Sequence, residues 1–514
     1  MPDTYRKSNP LLPAAVVSGL VLLGLATILA RQRSFSGGDP RDAAELIVYC
    51  AAGLRAPMQQ VAKQYEQEFG VAVRLQLGGS NTLLSQLEVA QMGDLFVAAD
   101  DGYVKLARDK GLIAEEFAVA SMLPVVVVPK DNPANVRSID DLLRTDVRTA
   151  LASPDQTAMG KATRDCLQKQ GAWNALEARV RQDGIFKPTV NDVASAVALR
   201  SVDAGVVWDA VARQFDDLSL VAAPELNAGR AAISLGVLAS SRSPVRSLHL
   251  ARYIAACDRG LLEFEKLGYT PVVGDLWAEH PRLTLYAGSV NRRVLEPIVK
   301  QFERRHQAEV QTIFNGCGIL TAQMRAMKSA NSEEFPDAFM ACDQYYMDEV
   351  DDLFQEGVAI SETPIVIAVQ RGNPLGVSKL ADLVKPGLRV AIGRPEQCTI
   401  GVLSRRLLES EDLYDKVLRD NVVAETATSA MLVPSVATGS ADAALVYLTD
   451  AQAEADRIDI VAIETPLARA VQPFGIAQSS RHKQLGRLLF NELAASRQLF
   501  EAAGFVWRLP EAGR

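Results

Sequence analysis

Histidine is scarce in this chain, with four in 514 residues: His249, His280, His306 and His482. None forms a His-Glu-x-x-His helix motif. Neither a Gly-x-Ser-x-Gly elbow nor a Gly-x-x-x-x-Gly-Lys-Ser/Thr loop occurs, so the usual signatures of metalloprotease, serine-hydrolase and nucleotide-phosphate chemistry are missing. Basic charge is also short, because 54 Lys and Arg stand against 62 Asp and Glu, a net charge of −8. That balance argues against a nucleic-acid binder, which normally shows a basic face. It does not exclude an anionic ligand, since short-range backbone donors outweigh a screened global charge. The remaining composition, 48% hydrophobic and 23% charged, is enough for several buried cores.

What is present is a stretch that occurs twice. Val71-Ala-Val-Arg-Leu-Gln-Leu-Gly-Gly-Ser-Asn-Thr-Leu-Leu-Ser-Gln-Leu87 reads as a strand, a glycine turn and a helix, with Ser80, Asn81 and Thr82 as candidate N-caps. Glycines ahead of a helix let the backbone approach a ligand, and the free N–H groups of the first turn favour an anion. Roughly 240 residues later, Glu309-Val-Gln-Thr-Ile-Phe-Asn-Gly-Cys-Gly-Ile-Leu-Thr-Ala-Gln-Met324 repeats the pattern. Gly79 falls on Gly316, Ser80 on Cys317, Leu83 on Leu320 and Gln86 on Gln323. Lys63-Gln64-Tyr65-Glu66 likewise falls on Lys300-Gln301-Phe302-Glu303. The chain is a tandem duplication.

Ahead of the first copy, residues 1–10 are polar and residues 11–30 carry no charge. Twenty helical residues span about 30 Å, so this run is expected to be an uncleaved membrane anchor, with a cleaved signal peptide as its rival. Residues 31–45 read as a spacer. Short apolar strands then alternate with amphipathic helices, for example strands at 46–50, 71–77 and 94–98 with helices at 55–69 and 81–91, which predicts parallel α/β sheets. The boundaries expected are 46–271 for the first repeat, 272–282 for a linker, 283–508 for the second repeat and 509–514 for a tail.

Both repeats carry one ordered set of motifs. In the first these are Val48-Tyr-Cys-Ala-Ala-Gly-Leu54, Gly78-Gly-Ser-Asn-Thr-Leu83, Gly93-Asp-Leu-Phe-Val-Ala-Ala-Asp100, Ser153-Pro154-Asp155 before Met159-Gly160, and Ala204-Gly-Val-Val-Trp208. In the second they are Leu285-Tyr-Ala-Gly-Ser-Val290, Asn315-Gly-Cys-Gly-Ile-Leu320, Pro336-Asp-Ala-Phe-Met-Ala-Cys-Asp343, Arg394-Pro395-Glu396 before Ile400-Gly401, and Ala443-Ala-Leu-Val-Tyr447. In order and spacing this set resembles the type II periplasmic solute-binding proteins, nearest their molybdate-binding branch. The resemblance implies two α/β lobes per repeat, joined by a hinge and closing on a ligand. It implies a small oxyanion ligand such as molybdate or tungstate, held by hydroxyls and backbone N–H groups. It further implies an ABC-type permease as partner, an extracytoplasmic location, no cofactor and no catalysis.

Carried over residue by residue, the first site would use the Gly53 N–H, Ser80, the Met159 N–H, the Val193 N–H and Trp208. The second would use Ser289 or the Val290 N–H, Cys317, the Ile400 N–H, the Leu432 N–H and Tyr447. The first repeat departs from the family in Gly53, where a serine is expected, and in Trp208, where a tyrosine is usual. The second departs in Cys317, since a thiol donates weakly. The Ser80 hydroxyl and its capping turn make the first site the expected one for an oxyanion, while Tyr447 and Ser289 favour the second. Alternatives to the transport role are a sensor module, a scaffold with degenerate sites at the membrane, or, last among them, a hydrolase. Cys317, Cys342 and Cys398 all fall at loop ends pointing toward the second cleft, where two form a disulfide or three hold a soft metal if they are more than core residues. Asp94, Asp100, Asp337 and Asp343 recur in both copies and are expected to cap turns.

Overall fold

A computed structural model describes residues 45–330, 334–355 and 357–510. The apolar run 11–30 and most of its spacer lie outside these residues. Among the described residues no helix is long and apolar enough to cross a membrane.

The first half opens on the strand Leu46–Ala51, buried except at Ile47. It pairs in parallel with Val73–Gly78 on one side and Leu95–Ala98 on the other. The connecting helix Arg55–Phe69 buries Pro57, Met58, Val61, Ala62 and Tyr65, an i, i+3/i+4 stripe laid against the sheet. It stops at Gly70, whose φ of 67° is the left-handed cap that glycine supplies without a Cβ clash. Each large side chain on that stripe contributes about 1.5–3 kcal/mol by leaving water, so a charge at Val61 would undo the packing of the whole helix.

The sheet is mixed, where parallel strands were expected. Its order is Thr270–Pro271, Ile113–Met122, Ala231–Leu238, Leu95–Ala98, Leu46–Ala51, Val73–Gly78, and Ala231–Leu238 runs antiparallel to both its neighbours. The reason is connectivity. The chain leaves this lobe along Ile113–Met122, builds a second sheet, and returns along Ala231–Leu238. The second sheet has the order Ile185–Lys187, Thr149–Ala152, Ala204–Trp208, Pro124–Pro129, Leu218–Val221. One residue, Leu123, separates the outgoing strand from Pro124–Pro129, and its N–H donates to Asp209 Oδ1 at 2.9 Å.

The second half repeats this plan with one change. A single 13-residue strand, Val358–Gln370, crosses both lobes without a break. Ten strands therefore form one sheet, ordered Glu309–Asn315, Arg282–Gly288, Ala338–Met340, Arg469–Ile476, Val358–Gln370, Ala443–Tyr447, Val390–Gly393, Val422–Thr426, with Ile458–Ala462 and Val506–Trp507 also paired to the long strand.

The two halves are pinned together. Arg305 Nε and Nη2 donate to the two carboxylate oxygens of Glu115 at 2.6 and 2.7 Å, a bidentate pair between halves. The junction segment is packed as well. Asp275 accepts the N–H groups of Gln484 and Leu485 at 2.9 Å each, and Trp277 sits edge-on to His249 and Tyr253 with centroids 4.9 and 5.1 Å away.

Candidate functional site

In each half the starts of several helices meet across the two lobes. In the first, Gly79 is the N-cap of the helix Ser80–Ala90 and offers no side chain. Ser80 is thus the first helical residue, not the cap expected of it. Its buried Oγ accepts the Ala99 N–H at 3.2 Å. A Cβ on Gly79 would stand 2.2 Å from Gln156 O, so glycine is what lets the lobes touch. Asn81 completes that contact, its N–H donating to Gln156 O at 3.2 Å and its Nδ2 to Asp155 O at 2.7 Å.

Gly53, Ser80, Met159 and Trp208 all line one small pocket here, about 20 Å³, with Thr157, Thr189 and Val190. Val193 does not line it. Its N–H donates to Thr189 O at 3.4 Å within the helix Val190–Ala198, and Val190, at the first helical position, faces the pocket instead. The Met159 N–H, second in the helix Ala158–Lys169, has no preceding turn to donate to. The pocket's threonines are committed to the fold. Thr157 Oγ1 accepts the Gly160 N–H and donates to Ser153 O, both at 2.9 Å, and Thr189 Oγ1 bonds Asp192 Oδ2 at 2.6 Å. The departures at Gly53 and Trp208 are linked, because a Cβ on Gly53 would meet Trp208 Cδ1 at 3.3 Å and Val190 Cγ1 at 3.0 Å. The indole fills the room that a serine side chain would need.

The second half has the same frame and different chemistry. Cys317, first in the helix Cys317–Ser329, accepts the Cys342 N–H at 3.2 Å, the counterpart of the bond between Ala99 and Ser80. Cys342 Sγ lies 3.1 Å from Cys317 Sγ. A Cβ on Gly288 would come within 2.0 Å of Cys342 Sγ, so the two sulfurs occupy space that glycine leaves clear. Burial pushes the Cys317 thiol up, but the hydrogen bonds from Cys342 and the nearby Thr399 hydroxyl outweigh it, and the net direction is down. The Cys342 thiol is pushed up, by its bond to Cys317 and by burial.

Cys398 takes the place of Thr157 but does not cap. Its Sγ turns to Arg394 O and Thr426 O at 3.6 and 3.5 Å, and burial pushes its thiol up to about 11. All six cysteines are free, and among the described residues no group of three His, Cys, Asp or Glu is placed to hold a metal ion. The expected trio is therefore a contacting pair plus a third sulfur that faces backbone carbonyls.

Around the pair stand hydroxyls without partners. Tyr447 is fully buried and its hydroxyl has no hydrogen bond; Thr399 Oγ1 and Ser429 Oγ are buried without a well-formed one, and Ser429 stands near enough to the Asp450 carboxyl to draw its pKa down. Thr399 is near enough to both sulfurs to act on their titration, yet its geometry falls short of a formed hydrogen bond. Burial raises the Tyr447 hydroxyl, and Cys342, Cys317 and Cys398 push it the same way. The short turn Ser289–Asn291, which holds Ser289 and Val290, packs against the turn Ser429–Met431 of the opposite lobe. Ile400 is second in the helix Thr399–Glu409, matching Met159. The Leu432 N–H, like that of Val193, is used locally and donates to Ser429 O.

Reading the motifs alone missed Thr399 and Ser429. The duplication carried the signal, since Thr399 falls on Ala158 and Ser429 on Val190, hydroxyls against apolar residues. The recurring aspartates do cap turns. Asp94 accepts the Ile47 N–H and Asp337 the Thr284 N–H, at 2.8 and 2.9 Å, while Asp100 and Asp343 cap the helices that follow them.

This twofold architecture matches one family. The sequence profile of bacterial extracellular solute-binding proteins fits the chain twice, over residues 46–269 and 283–506, and the chain belongs to that family. Among its relatives, the molybdate-binding protein ModA of Escherichia coli (strain K12) is 31% identical over 189 residues, covering 34% of this chain and 71% of that protein. ModA of Mycobacterium tuberculosis (strain ATCC 25618 / H37Rv) is 29% identical over 206 residues, covering 39% of this chain and 73% of the relative. Of solved structures, the periplasmic molybdate-binding protein of Azotobacter vinelandii aligns at 17% identity and a TM-score of 0.38, over 44% of this chain and 98% of its own. The sulfate-binding protein SubI of Mycobacterium tuberculosis H37Rv aligns at 16% identity and a TM-score of 0.39, over 44% and 86%.

Proposed function

We propose that the chain captures a small tetrahedral oxyanion of the molybdate or tungstate kind in its second cleft and presents it to an ABC-type permease. The apolar run 11–30 then tethers it on the outer side of the membrane. One observation carries the choice of cleft: in the second half Tyr447, Thr399 and Ser429 bury hydroxyls that make no well-formed hydrogen bond, where the first half has Trp208, Ala158 and Val190. A buried polar group without a partner costs about 1–3 kcal/mol, and a chain that keeps three together has a use for them. An oxyanion accepting from these hydroxyls and from the Thr399 and Ile400 N–H groups would repay that cost. Neutral donors on both lobes replace its hydration shell and draw the lobes shut. The relatives named for molybdate support the ligand class.

The first half serves this reading as a structural partner. Its pocket is small, its threonines are engaged and its tryptophan displaces a hydroxyl-bearing side chain. Calorimetry of the full chain with molybdate, tungstate and sulfate tests the reading. Saturable binding of at least one dianion at one site per chain supports it. No heat and no thermal shift with any of them overturns it.

A further inference from the structure

Behind the second cleft, polar residues stand where the first copy is apolar. Ser429, Tyr447 and Asp450 fall on Val190, Trp208 and Val211. In the first half those three meet, because a Cβ on Gly53 would lie 3.0, 3.3 and 3.6 Å from atoms of Val190, Trp208 and Val211. Val190 and Trp208 line the first pocket and Val211 does not, so Asp450 holds the place one layer behind Ser429. Ser429 Oγ, the Tyr447 hydroxyl and Asp450 Oδ2 are all buried without a well-formed hydrogen bond.

Asp450 sits on the short helix Leu448–Gln452, which packs on the strands Val358–Gln370 and Ala443–Tyr447. Burial pushes its carboxyl up to about 6, against a lowering by the Ser429 hydroxyl and by Arg293, on the helix Arg292–His306. The ionisable groups of the two strands, Glu362 and Tyr447, are not among those acting on it, and Glu362 is paired with Arg508. A serine hydroxyl has one hydrogen to give. An ionised Asp450 only accepts, and it draws the Ser429 hydrogen to itself. A protonated Asp450 donates to Ser429 Oγ, which frees the serine hydrogen for the cleft.

We propose that Asp450 couples capture of the dianion to uptake of one proton from solvent: the protonated acid turns the Ser429 hydroxyl toward the anion, and the ionised acid withdraws it and adds a repelling charge. This coupling rests on the second cleft being the dianion site, and it makes Asp450 a positioning residue that acts through Ser429. Where the free acid is ionised, the proton must arrive with the ligand, so affinity falls by about tenfold per pH unit as pH rises.

The test is calorimetry of the full chain with molybdate, tungstate and sulfate from pH 6.5 to 8, in two buffers of different ionisation enthalpy. None of the three dianions carries a proton in that range. In the wild type, affinity should fall by about tenfold per pH unit, and the heat should differ between buffers by one proton absorbed per dianion. In Asp450→Asn the carboxamide donates to Ser429 as the protonated acid does, so affinity should stay level with no proton absorbed. The rival proton acceptor is Cys317, the thiol drawn downward beside the cleft. A variant that keeps the wild-type slope assigns the proton there and overturns the coupling, as does a wild type with level affinity; either result leaves the cleft as the binding site. No heat with any of the three removes the cleft and the coupling together. Should Asp450→Asn fail to fold, Ser429→Ala decides. Weakened binding at pH 6.5 with a flattened slope supports the coupling, and an intact slope overturns it.

Discussion

Cys317 Sγ and Cys342 Sγ stand 3.1 Å apart, both buried, at a place where the first half has Ser80 and Ala99. The sulfur held down is Cys317, and the thiolate is the attacking species in disulfide exchange. Outside the cytoplasm such a pair meets oxidised thiols. Exchange with glutathione disulfide, which releases two glutathiones as the bridge closes, is expected whenever this buried pair becomes accessible. The thiol titre of the denatured full chain should fall by two from its six cysteines, and Cys317→Ser should abolish the loss. A titre that stays at six through prolonged exposure removes the pair as a redox couple.

Tyr447→Phe should act with opposite signs on stability and on binding. The ligand-free protein sheds a buried, unpartnered hydroxyl and so keeps or gains stability. The dianion loses a donor worth about 1.5–3 kcal/mol, which is roughly 10- to 150-fold in affinity. Ser80→Ala, in the first half, should leave dianion affinity unchanged. Calorimetry on the two variants checks both arms, and a loss confined to Ser80→Ala would move the ligand to the first cleft.

Much of this fold could be read from residue pattern, and the failures have physical causes. The helix Arg55–Phe69 begins and ends where its apolar stripe and Gly70 predict, because local spacing and a left-handed cap decide it. The strands Ile113–Met122 and Ala231–Leu238 were not foreseen at all, and their antiparallel pairing is set by a connection more than a hundred residues long. Ser80 looked like a cap, yet the backbone enters the helix one residue earlier, at Gly79, which needs no side chain to let the lobes meet. Val193 and Leu432 were each placed a turn too far along, where the N–H already serves the helix or its first turn. The hydroxyls of Thr399 and Ser429 stayed hidden because partnerlessness belongs to three-dimensional packing, and no motif reports it.

Asp450 gives the second half a pH signature. It is buried beside Ser429, and burial pushes its carboxyl up to about 6 from an ordinary 3.8. Between pH 4 and 6 the folded state therefore holds a proton that the unfolded state has released. The protonated form's advantage is lost as pH rises through the folded pKa, so stability falls by about 3 kcal/mol across that window. His249 and His306, pulled by burial down to about 4 and about 3, act in the other sense: folding with them neutral costs nothing above their unfolded pKa and loses stability below it. The difference between wild type and Asp450→Asn isolates the aspartate. Melting curves from pH 4.5 to 7.5 should show the variant gaining on the wild type as pH rises, and parallel curves would exclude an uncharged Asp450 in the fold.

The pairing of Gly53 with Trp208 predicts a compensating couple. Gly53→Ser places its Cβ about where Val190 Cγ1 and Trp208 Cδ1 leave 3.0 and 3.3 Å, closer than most side-chain contacts, so both Val190 and the indole must give. Overpacking of this kind costs about 1–3 kcal/mol. Trp208→Tyr alone trades a fully buried indole for a smaller ring and loses packing in turn. Made together, the smaller ring has room to shift off the new serine while the Val190 contact stays, so their effects should fall short of the sum by about 0.5–3 kcal/mol. Denaturant unfolding of wild type, both single variants and the double variant, each as the full chain, measures that coupling. The double variant also brings serine and tyrosine hydroxyls to the first pocket, and calorimetry should then find a second dianion site per chain. Additive destabilisation with no second site would mean that Trp208 fills the pocket without excluding a ligand from it.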